Sequence, residues 1–242
     1  MRAESAHRLI SKRSIDGCQL FQVDLDRPVQ PGELDLLSPD ERERAGRMRF
    51  AKHGERHCAA HAALRCILSA ATGRTPQSLR FEATAHGKPF LRCEPDLAFN
   101  LSHSEGIGLV ALAMKGAGCL SVGVDVELRK PVPDALALAR AHFLAEECER
   151  LEELDAPLRS HAFLTGWTRK EAYLKAIGTG LDAEALPFTG IEPEALCFAL
   201  GGARRLSLYS MALPQAVAAL AVIGPAQAPP AQAERVPEAL TP

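Results

Sequence analysis

The order of predicted secondary-structure elements occurs twice along the chain, and this repeat constrains the fold most. In each half an apolar strand precedes a long helix rich in small residues, and further strands close the half. The first half has strands at 20–26, 79–83 and 97–114 and a helix over about 54–71; the second has strands at 122–127, 196–200 and 206–223 and a helix over about 159–177. The pattern predicts an α+β fold of two similar subdomains related by a pseudo-twofold axis, with a cleft between them.

The repeat divides the chain into four segments. Residues 1–16 are polar and unpatterned, and 225–242 form a Pro/Ala/Gln/Glu tail, so we expect the first to be flexible and the second disordered. The N-terminal subdomain is expected over 17–119 and the C-terminal subdomain over 120–224. A proline-broken stretch at 128–133 follows the second strand, and helices are expected over about 134–141 and 146–154.

Composition excludes several classes of partner and site. The net charge of −2 and the pI near 6.5 favour neither nucleic acid nor an anionic membrane. The seven cysteines are odd in number and include no Cys-x-x-Cys, so neither a disulfide framework nor a zinc ribbon is indicated. No apolar stretch has the roughly 20 residues that a membrane span needs, and the N-terminus lacks a signal-peptide pattern. We therefore expect a cytoplasmic protein.

Two short stretches carry the chemistry. Asp125 and Glu127 alternate along a predicted strand and so point to one face, while Glu171 and Lys175 are four residues apart on a predicted helix. Carboxylate oxygens suit a hard cation such as Mg²⁺, and a neighbouring lysine neutralises phosphate charge. Each pair alone is more often a solvated ion pair, but both lie at the ends of buried elements. The combination predicts a metal site for a pyrophosphate.

Three sequence blocks, taken together, resemble the Sfp-type 4′-phosphopantetheinyl transferase family over about residues 18–224. They are Gly87-Lys-Pro89 followed by Phe99-Asn-Leu-Ser-His-Ser104; Gly123-Val-Asp-Val-Glu127; and Trp167-Thr-Arg-Lys-Glu-Ala-Tyr-Leu-Lys-Ala-Ile-Gly-Thr-Gly-Leu181. The resemblance implies a pseudo-dimeric α+β fold. It also implies transfer of 4′-phosphopantetheine from coenzyme A to a serine of an apo acyl or peptidyl carrier protein, with release of 3′,5′-ADP.

The resemblance also implies roles for the second-half residues. Mg²⁺, with Mn²⁺ as the alternative, would be held by Asp125, Glu127 and Glu171. Glu171 would be the general base for the serine hydroxyl, and Lys175 would offset charge on the pyrophosphate and the departing 3′,5′-ADP. Glu147, which follows Phe143 in a pattern similar to the family's, is a second candidate for the base.

In the first half the resemblance implies contacts with coenzyme A. Ser102 and His103 would contact the 3′-phosphoribose, Gly87 and Lys88 would lie near the adenine, and the basic residues Arg44 and Arg56 would bind phosphate, as would Lys175. The arginines also fit a merely soluble arginine-rich segment, and His103 also fits a core histidine. The row of His53, His57 and His61 is expected to be solvated or at a helix edge rather than a metal site.

Three alternatives remain beside the transferase. The cleft could hydrolyse the pyrophosphate of coenzyme A, or the chain could bind a carrier protein without catalysis. A short holo-acyl-carrier-protein synthase that acts as a trimer is disfavoured because this chain contains both halves, so a monomer is expected. The block from Trp167 to Leu181, with its Trp-x-x-Lys-Glu-Ala pattern, resembles the broad-specificity branch that serves polyketide and nonribosomal peptide synthesis, a secondary-metabolite setting.

Overall fold

The computed structural model describes residues 8–115, 118–178, 189–192, 194–200 and 203–226. The first half contains strands β1 (Leu9–Ile15), β2 (Cys18–Asp24), β3 (Phe81–Ala83), β4 (Pro89–Leu91), β5 (Leu97–Ser104) and β6 (Ile107–Met114) and helices α1 (Pro31–Leu34), α2 (Pro39–Gly46) and α3 (Ala51–Thr72), with a 3₁₀ turn at Pro76–Ser78. The second half contains strands β7 (Ser121–Leu128), β8 (Leu196–Leu200), β9 (Arg204–Leu213) and β10 (Ala216–Pro225) and helices α4 (Ala135–His142), α5 (Ala145–Glu152) and α6 (Ala156–Ile177).

The two main sheets share the arrangement of three of their four strands, and the fourth, β1 or β8, is added at a different edge in each. Their strand orders are β1-β2-β6-β5 and β7-β10-β9-β8, and all pairings within them are antiparallel. In each sheet the first strand of the repeat pairs with the last, and the last pairs with the one before it. β2, β5 and β6 therefore correspond to β7, β9 and β10, and the predicted α+β fold with two similar halves is confirmed.

The long helices α3 and α6 occupy corresponding places after β2 and β7. Each ends at a glycine in the left-handed conformation, Gly73 with φ of 72° and Gly178 with φ of 76°, which a residue with a Cβ adopts only at a cost. α6 begins at Asp155, whose carboxylate accepts a hydrogen bond from the backbone N–H of Leu158. Both helices begin three residues earlier than the sequence indicated.

The two sheets share an apolar core. Alternate residues of β2 and β6 pack in one cluster with those of β7, β9 and β10, while the opposite face of the second sheet packs on α6. α6 lies directly on β7, because a Cβ at Gly123 would come within 2.0 Å of the Ala172 carbonyl oxygen. This close approach fixes the helix that carries Glu171 and Lys175 against the strand that carries Asp125.

The expected flexibility of residues 1–16 was wrong for residues 8–16. Residues 9–15 form the edge strand β1, paired with β2. Arg8 is 3% exposed and donates hydrogen bonds to the Glu33 carboxylate and to the backbone carbonyls of Asp24, Arg27 and Pro28. The polar composition concealed this strand because its outward side chains are exposed. Residues 1–7 lie outside the described part of the chain, as do 227–242 of the expected tail.

The strands predicted at 79–83 and 97–114 do not pair with each other. β3 pairs with β4 in a separate two-stranded sheet rather than with the segment 97–114. That segment is itself a hairpin, β5 and β6, joined by a turn in which Glu105 has φ of 49°. Segment 206–223 likewise contains two strands, β9 and β10, rather than one. No helix among the described residues is long and apolar enough to cross a membrane.

Candidate functional site

Strand β5 of the first half lies beside β7 of the second, and side chains join them. Asn100 accepts a hydrogen bond from the Val124 backbone N–H at 2.8 Å. One step further along, the Ser102 hydroxyl donates to the Asp125 carboxylate, also at 2.8 Å. The Ser104 hydroxyl then donates to Glu127 at 3.0 Å. Because residues two apart on a strand point to one face, this row places both acidic side chains of β7 at the junction of the halves.

Asp125 lies at the centre of the junction and is only 4% exposed. Its Oδ1 atom accepts from the Lys175 ammonium at 2.5 Å, and the same ammonium donates to the Ser102 hydroxyl at 3.0 Å. Its Oδ2 atom is buried and has no hydrogen-bond partner among the described residues. Burial raises the pKa of Asp125, an effect that Lys175 and Ser102 oppose. A buried carboxylate oxygen without a partner is costly, so this atom is suited to accept a ligand.

Glu127 and Glu171 are partly buried and respond to the charge of Asp125. Burial raises the pKa of Glu127, and repulsion by Asp125 raises it further. The pKa of Glu171 is raised by burial, then by Asp125, with a smaller contribution from Glu127. The three carboxylates are therefore close enough to repel one another.

The three carboxylates have the donor chemistry of a Mg²⁺ site. Their oxygens are hard ligands, their mutual repulsion would be relieved by a cation, and Oδ2 of Asp125 lacks a partner. In the described part of the chain, no three His, Cys, Asp or Glu side chains are arranged as a metal-binding group. The Lys175 ammonium is the cation that contacts Asp125. The residues thus fit the ion by chemistry, but among the described residues they are not arranged as a metal centre.

Glu147 does not lie in this cluster. It is fully buried, and its Oε2 atom contacts the Lys170 ammonium at 2.7 Å and accepts from the Leu144 backbone N–H. Its Oε1 atom accepts from the backbone N–H groups of Thr189 and Gly190. Both oxygens are therefore occupied inside the protein, which is the environment of a structural carboxylate rather than a base that meets substrate.

The candidate residues for phosphate binding lie along β5 and α3. The Arg56 guanidinium donates to Asp26 at 2.8 Å and also contacts the Glu105 carboxylate. His103 is solvent-exposed on β5, and its pKa is lowered by partial desolvation and then by electrostatic interaction with His61 and Lys175. Arg44 is exposed on α2. Ser102 and Lys175 thus contact Asp125, whereas Arg56 is already paired with two carboxylates.

Gly87 and Lys88 lie at the turn between β3 and β4. Gly87 has φ of 84°, a conformation that favours glycine. The Lys88 ammonium donates hydrogen bonds to the Ser121 hydroxyl and to the backbone carbonyls of Val122 and Ala176. Its charged end therefore faces the second half of the protein.

The histidine row on α3 differs from the expectation at its centre. His57 is 6% exposed, and burial lowers its pKa to about 4. Within the described ranges its Nε2 atom has no hydrogen-bond partner. His61 is partly buried and lies 3.1 Å from Glu41, which also accepts from Arg65. Only His53 is solvent-exposed. The alanine-rich sequence of α3 does not show which of its faces is buried, because that depends on the packing of α1 and α2 against it.

Sequence reasoning missed the individual roles of Asn100, Ser104 and Lys170. Asn100 and Ser104 alternate with Ser102 on β5, so their period of two was a signal that all three share a face. Lys170 precedes Glu171, but its partner Glu147 is 23 positions earlier and belongs to another helix. No local pattern identifies that partner.

Comparison of the sequence with known proteins points to a single family. A sequence model described as the 4′-phosphopantetheinyl transferase superfamily matches residues 121–208, and one described as 4′-phosphopantetheinyl transferase, N-terminal, matches residues 32–115. The chain is 36% identical over 190 residues to the 4′-phosphopantetheinyl transferase HetI of Nostoc sp., covering 75% of this chain and 78% of HetI. It is 26% identical over 167 residues to the 4′-phosphopantetheinyl transferase Sfp of Bacillus subtilis, covering 67% and 71%. A human L-aminoadipate-semialdehyde dehydrogenase-phosphopantetheinyl transferase is 27% identical over 159 residues, covering 61% and 50%.

Proposed function

Because the chain belongs to the 4′-phosphopantetheinyl transferase superfamily, we propose that the carboxylate cluster around Asp125 is its catalytic centre. The protein is a 4′-phosphopantetheinyl transferase, and coenzyme A is the donor substrate of its family. The acceptor is a serine of an apo acyl or peptidyl carrier protein. The observation that supports this site is the Oδ2 atom of Asp125, which is buried and has no hydrogen-bond partner among the described residues. Two further carboxylates, those of Glu127 and Glu171, lie close enough to Asp125 to repel it and each other.

The reaction is a substitution at phosphorus. The serine oxygen forms a bond to the phosphorus that bears the pantetheine arm, the phosphoanhydride bond breaks, and 3′,5′-ADP leaves with the bonding electron pair. Asp125, Glu127 and Glu171 would hold Mg²⁺, which when bound supplies positive charge against the pyrophosphate. Mn²⁺ has the same preference for oxygen ligands.

The chain's own residues handle charge and the proton. Glu171 is the proposed base for the serine hydroxyl, directly or through water, and holding Mg²⁺ would reduce its basicity. Lys175 can move its ammonium from Asp125 toward the pyrophosphate, where it offsets the charge that develops on 3′,5′-ADP. Glu147 is not part of this proposal, because both its oxygens are occupied by buried partners.

The coenzyme is proposed to lie along β5. Ser102 and His103 would contact its 3′-phosphoribose, with Arg44 and Arg56 contributing positive charge and the Gly87–Lys88 turn near the adenine. Residues 17–119 would then form mainly the coenzyme half and 120–224 the metal half of a monomer. We propose a cytoplasmic location, and carriers of polyketide or nonribosomal peptide synthesis as targets.

Mass spectrometry of an apo-carrier panel tests the reaction. With Mg²⁺ and coenzyme A, the protein should make a carrier heavier by the phosphopantetheine group and release 3′,5′-ADP in equal amount, and EDTA should stop both. Release of 3′,5′-ADP without carrier modification would identify a hydrolase. A carrier that binds but stays unmodified would identify a binding module.

A second experiment tests the proposed 3′-phosphate contact separately. Wild-type protein should prefer coenzyme A to 3′-dephospho-coenzyme A, because a charge-assisted hydrogen bond contributes about 1.5–3 kcal/mol. The His103→Ala substitution should raise the KM for coenzyme A and leave the KM for the dephospho analogue nearly unchanged. An equal loss with both substrates would make His103 a structural residue.

A further inference from the structure

Lys88 connects the two halves through its ammonium group. The group donates to the Ser121 hydroxyl at 2.7 Å, to the Val122 carbonyl at 3.0 Å and to the Ala176 carbonyl at 2.8 Å. A lysine ammonium has three N–H donors, so all three are used. Every partner lies in the second half of the chain, on β7 or α6. A first-half residue thus holds the second half at this point.

These contacts fix the C-terminal end of α6. The last carbonyls of a helix have no partner within the helix, and Ala176 has one of them. The Ser121 hydroxyl also donates to the Ala176 carbonyl, at 2.6 Å. The aliphatic stem of Lys88 packs on the residue that ends the helix, because a Cβ at Gly178 would lie 3.1 Å from the Lys88 Cδ atom. Lys88, Ser121 and Ala176 therefore form one connected group.

The electrostatic setting of Lys88 suits a structural contact of this kind. In the described part of the chain Lys88 makes no ion pair with a carboxylate, and its partners are oxygen dipoles that include a helix C-terminus, where positive charge is stabilised. Burial lowers the pKa of Lys88 to about 8, with opposing effects from Cys119 and Lys115. All its donors are occupied within the protein, so none is free to bind phosphate in this arrangement.

The fixed end of α6 carries catalytic residues. Lys175 immediately precedes Ala176, and Glu171 lies about one turn earlier on the same helix. We propose that Lys88 is a positioning residue that orients Lys175 and Glu171 against Asp125 by holding the Ala176 carbonyl. This inference rests on the proposed function, and it differs from the direct adenine contact that the sequence resemblance implied for Lys88. A shift of about 1 Å in such groups can cost about 100-fold in rate.

Steady-state kinetics with apo-carrier, coenzyme A and Mg²⁺ distinguish the two roles. Lys88→Met keeps the packed stem and removes the donors, so kcat should fall about 10- to 100-fold while the KM for coenzyme A changes little. Ser121→Ala removes the hydroxyl that links Lys88 to Ala176 and should lower kcat in the same way. Because both bond the Ala176 carbonyl and each other, the double variant should lose less than the product of the two single losses.

Lys115→Met is the matched control. Lys115 lines the same surface pocket of about 600 Å³ as Lys88, but its ammonium donates to the Pro95 carbonyl, away from α6. The Lys115→Met variant should have the same kcat and KM as the wild type. The melting temperature of every variant, with assays run well below it, separates rate effects from unfolding.

Three results overturn the proposal. A raised KM with unchanged kcat in Lys88→Met means that Lys88 contacts the coenzyme. A lower melting temperature with wild-type kcat means that it only stabilises the fold. Additive losses in the double variant mean that Lys88 and Ser121 act separately. If the wild-type protein itself modifies no carrier, the proposed function fails, and that outcome is distinct from all three.

Discussion

Two lysines of α6 each contact a buried carboxylate, Lys170 that of Glu147 and Lys175 that of Asp125. The two carboxylates differ in how many of their oxygens are hydrogen-bonded. Glu147 has both oxygens bonded, one by Lys170 and a backbone N–H and the other by two backbone N–H groups. Asp125 has one oxygen bonded by Lys175 and Ser102, and the other has no partner in the part of the chain that the structure describes. The lysines are five positions apart and lie in different surroundings.

The difference separates a structural pair from a reactive one. Lys170 is 3% exposed at its side chain and Lys175 is 30% exposed, so only the second can exchange its partner for a ligand without unfolding. A fully bonded buried pair contributes little net stability relative to an apolar core, but removing one partner is strongly destabilising. The Lys175–Asp125 pair is the incomplete pair, because one carboxylate oxygen is not hydrogen-bonded among the described residues. A cation can bind the Asp125 carboxylate, and a pyrophosphate can interact with Lys175.

The largest expected effect is on activity at the incomplete pair. Asp125→Asn and Glu171→Gln should each lower kcat by about 100- to 1,000-fold or more, because charge stabilisation at a reacting phosphate is worth several kcal/mol. Circular dichroism should show the wild-type fold. Near-normal turnover in either variant would remove that residue from the catalytic centre.

The satisfied pair should respond in the opposite way. Glu147→Gln leaves Lys170 buried without its carboxylate, so the free energy of unfolding should fall by about 3–5 kcal/mol in urea titrations. The kcat per folded molecule should stay within a few-fold of wild type. A stable variant with a catalytic loss as large as that of Asp125→Asn would restore Glu147 as a candidate base.

A third prediction uses the repulsion within the carboxylate cluster. A carboxyl group whose pKa is raised on folding binds protons more tightly in the folded state, so its cost is present above the raised pKa and is relieved as pH falls toward the ordinary value near 4.5. Glu127→Gln removes one repelling charge and should raise the metal-free unfolding free energy at pH 7 by about 0.5–2 kcal/mol. Mg²⁺ should stabilise the wild type more than the variant.

The pH dependence provides the control for this prediction. The metal-free wild type should lose less of its stability than Glu127→Gln as pH falls from 7 toward 5, and the two curves should converge there. Parallel curves at all pH values would mean that Glu127 is not in repulsive contact with Asp125.

The smallest effect is expected at the hydroxyl between the halves. Ser102→Ala removes the donor to Asp125 and should lower the unfolding free energy by about 1 kcal/mol, with a modest loss in kcat. Ser104→Ala, which removes the donor to Glu127, is the matched comparison. A larger stability loss at Ser104 than at Ser102 would contradict the central place given to Asp125.

Much of the fold and of the proposed site follows from local sequence. Alternation on β7 put Asp125 and Glu127 on one face, and the four-residue spacing put Glu171 beside Lys175. The second long helix ends at Ile177 as the sequence indicated, and Gly178 follows it in a left-handed conformation. The three sequence blocks were enough to recognise the family. Each of these signals depends only on backbone geometry within a few residues.

The tertiary structure decided which partner each charge has. Glu147 and Asp125 are both acidic residues within reach of α6, yet packing buries the first against Lys170 and places the second at the junction with β5. Arg8, in a segment expected to be flexible, is buried beside Glu33, and Lys88 bonds to the end of a helix 88 positions later. Such pairings depend on which elements meet across the core. No periodicity within one element records that choice, because it is set by burial and hydrogen bonding between segments far apart in sequence.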